Sequence, residues 1–105
     1  MRKLVRDRIP ELMGKKPVQI ARGDNYRAYL SLKLQEEINE LRQASIFDLN
    51  PAFPHNVKEE AADVITVVLA LANAHGFCWE EIEEEIVRKG KEKGGFGAGF
   101  VMEVD

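Results

Sequence analysis

The chain has few of the residues that build cross-linked or membrane-spanning proteins. Among its 105 residues there is one cysteine, Cys78, which cannot form an internal disulfide or a cysteine-rich zinc site. We expect it to be a small buried apolar residue. The longest nearly apolar run, Val64 to Ala72, is interrupted by Thr66 and falls far short of the ~20 residues that cross a bilayer. The first residues contain no apolar signal segment. We therefore expect a cytoplasmic protein with no membrane partner.

Histidines are also scarce, and the glycines form no nucleotide-binding motif. Neither His55 nor His75 has an acidic residue three positions earlier, so the Glu-x-x-His pattern of carboxylate-bridged di-iron bundles is missing. The run Gly95 to Gly99 follows a predicted helix and does not open one, which excludes a dinucleotide fingerprint. The spacing of a P-loop is missing as well.

The remaining composition is that of one globular domain over residues 1–105, with 45% hydrophobic and 31% charged residues. Charge is unevenly spread: residues 1–33 carry nine Lys/Arg and three Asp/Glu, whereas residues 34–105 carry six and fifteen. A basic first third could contact nucleic acid, or it could complement the acidic remainder within one fold or a dimer. We favour the second interpretation because the sequence pI is about 5.5.

Hydrophobic periodicity predicts an all-α bundle of three main helices. They extend from Asp24, as N-cap, to about Ser45, from about His55 to His75, and from about Trp79 to Lys93. Gly76 is the expected stop of the second helix. The remaining segments are an N-terminal segment 1–23 with one short helical turn and an extended piece 17–21, a connection 46–54, and a glycine-rich tail 94–105 that could end in a strand over 100–104.

The second helix contains a β-branched run, Val64 to Val68, that by itself is typical of a buried strand. The apolar pattern continues through Leu71, and the good helix formers Glu59 to Ala62 precede it. Length therefore favours a buried helix. Three helices leave much apolar surface uncovered, especially around this one, and self-association is the simplest way to bury it.

Acidic residues occupy the apolar sides of two helices. Glu37 lies next to the stripe of Leu30, Leu34, Ile38 and Leu41, and Glu60 falls inside the apolar face of the second helix. Each has an acidic partner three residues later, Glu40 and Asp63. Ionised carboxylates on core faces are costly unless a cation compensates them, and oxygen ligands suit Mg²⁺ or Mn²⁺. The alternative is that these are ordinary acidic pairs on solvated helix faces.

The third helix adds basic residues, since Lys89 and Lys93 continue the stripe of Ile82 and Ile86. They could bind phosphate oxygens near the acidic groups. They could equally extend into solvent from the helix end, where the helix dipole favours positive charge.

The acidic segments resemble a known family. Glu36-Glu37-Ile38-Asn39-Glu40, then nineteen residues, then Glu60-Ala61-Ala62-Asp63 is similar to the motif of the MazG-type all-α NTP pyrophosphohydrolases, a superfamily with phosphoribosyl-ATP pyrophosphohydrolases and dimeric dUTPases. The opening Lys3 to Glu11 and the ending Lys89 to Phe96 resemble a short, stand-alone branch of that superfamily.

The resemblance implies a helical fold that pairs into dimers or tetramers, Mg²⁺ in the acidic cleft, and cleavage between the α and β phosphates of a nucleoside triphosphate. It places the metal on Glu37, Glu40, Glu60 and Asp63. Glu36, the first acid of the motif, could take a proton from the attacking water or hold a second metal. We expect Glu36 and Glu37 to be the catalytic pair.

Substrate contacts are less defined by the sequence. Lys89, Lys93, Asn73 and Arg6 are the candidates, although Asn73 could be a solvated or capping residue and Arg6 could pair with Asp7. Trp79, Phe53 and Phe96 could stack on a base, but a place in the core or in an interface is favoured for each. The alternative function is a non-catalytic dimerisation or regulatory module whose acidic cleft binds metal; a nucleic-acid binder is a weaker rival.

Overall fold

Four α-helices make up the regular structure of the chain in a computed structural model, which describes residues 1–47 and 56–105. The helices are α1 (Ile9–Met13), α2 (Gly23–Phe47), α3 (Val57–Ala74) and α4 (Trp79–Lys93). The described residues contain no strand, so the all-α prediction is confirmed and the suggested strand over 100–104 is wrong. Most of the predicted connection, including Phe53, lies outside the described residues, and so does His55, the predicted start of the second main helix.

The short helical turn predicted near the N-terminus is α1. Pro10 lies in its first turn, where the missing N–H is not needed. Gly14 ends the helix with φ of 64°, a left-handed conformation that glycine adopts without steric cost. Residues 15–22 return to α2 without regular secondary structure.

The long helix α2 begins at Gly23, one residue before the expected cap, so Asp24 lies within the first turn and pairs there with Arg27. Its inward side differs from the predicted stripe. Glu37 is 7% exposed, whereas Ile38 is exposed, so a carboxylate occupies the position expected for an apolar side chain.

Helix α3 includes the β-branched run, which confirms the choice of helix over strand. Its end is a Schellman motif: the Phe77 N–H donates to the Ala72 carbonyl at 2.9 Å and the Gly76 N–H donates to the Asn73 carbonyl at 3.0 Å. Gly76 has φ of 89°, as this motif requires, and the predicted stop is confirmed. Cys78 is exposed, not buried as expected, and its N–H donates to Glu81 Oε1 at 3.1 Å at the start of α4.

Helices α2 and α3 pack against each other, and α4 leaves α3 through a bend of 109° without contacting α2. The radius of gyration is 17.2 Å, compared with about 13 Å for a compact domain of this length. Among the described residues, only Leu30 and Val67 are buried hydrophobics. A single chain therefore leaves its core incomplete.

No single described helix has both the length and the hydropathy needed to cross a membrane. Helices α3 and α4 reach those values only when they are taken together across their 109° bend.

Candidate active site

Three carboxylates meet where α2 packs on α3. Glu37 comes from α2, and Glu60 and Asp63 come from α3, where a spacing of three residues places them on one side of the helix. One oxygen from each lies within 4.8 Å of the others. Within the described ranges, this is the group that could hold a metal ion. The structure therefore brings together three of the four predicted metal ligands.

Two oxygens of this cluster are buried without a partner. Glu37 Oε2 and Glu60 Oε2 accept no hydrogen bond from any described residue. Such atoms cost free energy comparable to an unmade hydrogen bond, and more when they carry charge. A divalent cation bound by these carboxylates would compensate their charge, and a set of carboxylate oxygens fits Mg²⁺ or Mn²⁺ better than zinc or copper. The residues present thus fit the implied metal.

The pKa of the Glu37 carboxyl reflects the same burial. Removal from water raises this pKa above its ordinary value, the Lys33 ammonium opposes the rise, and the Glu40 carboxylate adds to it. Lys33 Nζ lies 3.3 Å from Glu37 Oε1. Lys33 approaches Oε1 of Glu37, and Oε2 has no partner among the described residues. The negative charge of Glu37 is therefore only partly compensated.

The basic N-terminal segment supplies two further cations to this region. Arg6 donates from Nη2 to Asp63 Oδ1 at 2.6 Å, and Lys3 donates from Nζ to Glu36 Oε1 at 3.0 Å. Arg6 therefore pairs with Asp63 and not with Asp7, which corrects the suggested pairing within the segment. Lys3 was not among the predicted site residues. The signal in the sequence that could have indicated Lys3 was the excess of positive charge in the first third. This basic segment complements the acidic helices, as the favoured interpretation of the charge distribution predicted.

Glu36 and Glu40 lie beside the cluster and are not part of the three-oxygen group. Glu36 is held by Lys3 and by Lys33, whose Nζ lies 3.5 Å from Glu36 Oε1. The hydrogen bond from Lys3 lowers the pKa of the Glu36 carboxyl below its ordinary value. Glu40 is exposed on the next turn of α2. It is near enough to raise the pKa of Glu37.

The other predicted substrate residues are not brought to the cluster within one chain. Asn73 is exposed in the last turn of α3, ten residues or roughly 15 Å along the axis from Asp63. Lys89 and Lys93 are exposed on α4, which does not contact α2. Trp79 and Phe96 are also exposed.

The all-α fold and the carboxylate cluster between two packed helices agree with what the resemblance to the MazG-type pyrophosphohydrolases implies. The family model described as phosphoribosyl-ATP pyrophosphohydrolase matches residues 3–90, and the chain belongs to this family. It is thus a pyrophosphohydrolase, a hydrolase of acid anhydrides from a family that acts on nucleotides. No curated protein and no solved structure matches the chain.

Proposed function

We propose that the protein is a Mg²⁺-dependent nucleoside triphosphate pyrophosphohydrolase that cleaves the bond between the α and β phosphates. The observation that carries this proposal is the cluster of Glu37, Glu60 and Asp63, with its two unpartnered buried oxygens. Mn²⁺ is an acceptable substitute because it shares the preference for oxygen ligands. With this activity we propose a cytoplasmic role in removing unwanted nucleotides from the pool.

The metal would be held by Glu37, Glu60 and Asp63, with Glu40 as a fourth ligand from the next turn of α2. Mg²⁺ held there would supply positive charge that neutralises the phosphates and favours ionisation of the attacking water. Family membership and the all-oxygen donor set support this assignment.

The protein's own groups would then position the substrate and manage the proton. Glu36 and Glu37 are the proposed acceptors of the proton from the attacking water. The ion pairs with Lys3 and Lys33 fix the Glu36 carboxylate in place but make it the weaker base of the two, because they lower its pKa while burial raises the pKa of Glu37. The water oxygen bonds to the α-phosphorus, and the bond from that phosphorus to the bridging oxygen breaks. The bridging oxygen leaves with the β phosphate, so the products are a nucleoside monophosphate, pyrophosphate and one proton.

Arg6 is the substrate-binding candidate that lies at the cluster in this chain. Its guanidinium is bonded to Asp63 and more than half exposed, which allows it to contact a phosphate as well. Lys89, Lys93 and Asn73 stay predictions. Because α4 does not contact α2 of the same chain, Lys89 and Lys93 would reach the phosphates from a second copy.

We therefore propose a homodimer or homotetramer. The large radius of gyration and the exposed apolar side chains Ile65, Ile86 and Val87 support association through α3 and α4. Light scattering at micromolar concentration should give a mass of at least two chains. A monomer under these conditions would contradict the proposal.

The activity is tested by measuring pyrophosphate release across ribo-, deoxyribo- and modified nucleoside triphosphates and phosphoribosyl-ATP, with Mg²⁺ and with EDTA. We expect release of pyrophosphate, not phosphate, from at least one substrate, and none in EDTA. Metal binding without turnover across the panel would instead favour the non-catalytic module. Release that persists in EDTA would contradict the role of the cluster.

A further inference from the structure

A cavity of about 780 Å³ lies between residues 1–21 and the first two turns of α2. This volume is within the range of about 300–1,000 Å³ that holds small-molecule ligands. The three clustered carboxylates do not line it. It is therefore a separate space beside the candidate active site.

Part of the wall of this N-terminal cavity is aromatic and apolar. Tyr26 and Tyr29 line it from α2, and both are only partly exposed. Leu4 and Ile9 line it from the N-terminal segment, and both are partly buried. Tyrosine rings combined with aliphatic side chains suit a flat, weakly polar group, and a nucleobase stacks on such rings whatever its identity.

The charge of the cavity points to an anionic ligand. Five cationic residues and one acidic residue, Asp7, contribute to the lining; the cationic ones are Arg2, Lys3, Arg6, Lys15 and Lys16. Arginine and lysine at this density, next to aromatic rings, favour a ligand that joins a base to phosphates.

Two of these cations connect the cavity to the acidic cluster. Lys3 and Arg6 both line the cavity. Lys3 also donates a hydrogen bond to Glu36, and Arg6 donates one to Asp63. On α2, Tyr29 and Glu36 are seven residues apart, so they lie on the same side of the helix, roughly 10 Å apart along its axis. A ligand seated against Tyr29 can thus extend along α2 towards the carboxylates.

We infer that the N-terminal cavity binds the base and sugar of the substrate nucleotide, with Tyr29 stacking on the base. Lys3 and Arg6 then direct the phosphates from the cavity to the acidic cluster. This inference rests on the proposed function, since it assigns the nucleoside end of the same substrate.

The test separates the nucleoside from the phosphates. Calorimetry measures the binding of two probes in Mg²⁺: inorganic tripolyphosphate, and the α,β-methylene analogue of the nucleotide hydrolysed fastest, or of ATP if none is hydrolysed. In the wild type the analogue should bind more tightly than tripolyphosphate. Tyr29→Ala should weaken binding of the analogue about tenfold and leave tripolyphosphate unchanged. Tyr29→Phe keeps the ring and should bind both as the wild type does.

Phe100→Ala is the matched control, because Phe100 is an exposed aromatic residue in the C-terminal tail. It should change neither affinity. The inference would be overturned if Tyr29→Ala lost affinity equally for both probes, or for neither of them. It would also be overturned if the wild type bound the analogue no more tightly than tripolyphosphate. If the analogue binds in a Tyr29-dependent manner but no nucleotide is hydrolysed, the cavity is a nucleoside-binding site and the proposed activity is rejected. If nucleotides are hydrolysed but Tyr29→Ala binds the analogue as the wild type does, the proposed activity stands and the cavity is rejected as the nucleoside-binding site.

Discussion

Glu60→Gln should lower the rate of pyrophosphate release by about 10²- to 10³-fold while the protein stays folded. Glu60 contributes one of the clustered carboxylates, and one of its oxygens is buried without a partner. The amide keeps the size of the side chain but removes the negative charge that would hold a divalent cation. Steady-state assays at saturating Mg²⁺ measure the loss, and circular dichroism confirms that the helices persist.

Glu59→Gln is the matched control for this substitution. Glu59 is the neighbouring residue on α3, is exposed, and lies outside the cluster. The same change of charge there should leave the rate within about twofold of the wild type, as expected for a surface site. Equal losses in the two variants would show that general charge, and not the cluster, governs the rate.

Magnesium should raise the thermal midpoint of the protein strongly. A ligand that binds only the folded state contributes about 2.7 kcal/mol at a hundredfold excess over its Kd, which is roughly ten degrees for a domain of this size. The two unpartnered buried oxygens are the physical reason, because the cation removes their cost. Calorimetric scans at fixed protein concentration, with Mg²⁺ or with EDTA, measure the shift.

Glu37→Gln should abolish this shift. Burial raises the pKa of Glu37, so the folded protein binds its proton more tightly than the unfolded chain. The ionised carboxylate therefore costs stability at neutral pH, and this cost is relieved as the pH falls through the folded pKa. The amide has no such cost, so the variant in EDTA should be at least as stable as the wild type. A metal-induced shift of full size in this variant would contradict the assignment of Glu37.

The helices could be predicted from the sequence because their signals are local. Gly76 marks the end of α3, and the length of the apolar pattern outweighed the β-branched run Val64 to Val68. The orientation of α2 was less accurate. A helical wheel centred on apolar residues alone turns Ile38 inwards, whereas the structure buries Glu37. Functional sites place polar groups where packing alone would place apolar ones. A helical wheel drawn from apolar residues therefore gives the wrong rotation for a helix at such a site.

The contacts of the N-terminal segment could not be predicted in the same way. Residues 1–8 have no periodicity, and Arg6 reaches Asp63 across 57 residues of sequence. The charge imbalance indicated that the basic third would meet the acidic helices, but it could not name the pairs. The cavity lined by Tyr26 and Tyr29 depends on the path that residues 15–22 take back to α2. That segment contains no motif from which its path could be predicted.

A titration of Mn²⁺ followed by electron paramagnetic resonance, in which bound ions lose the signal of the free ion, tests most directly whether these carboxylates hold a metal. We compare the wild type, the double variant Glu37→Gln/Glu60→Gln, and Glu59→Gln. The cluster predicts saturable binding in the wild type and in Glu59→Gln, and loss of that binding in the double variant. Equal binding by all three proteins, or none by the wild type, would contradict the claim that these carboxylates hold the metal.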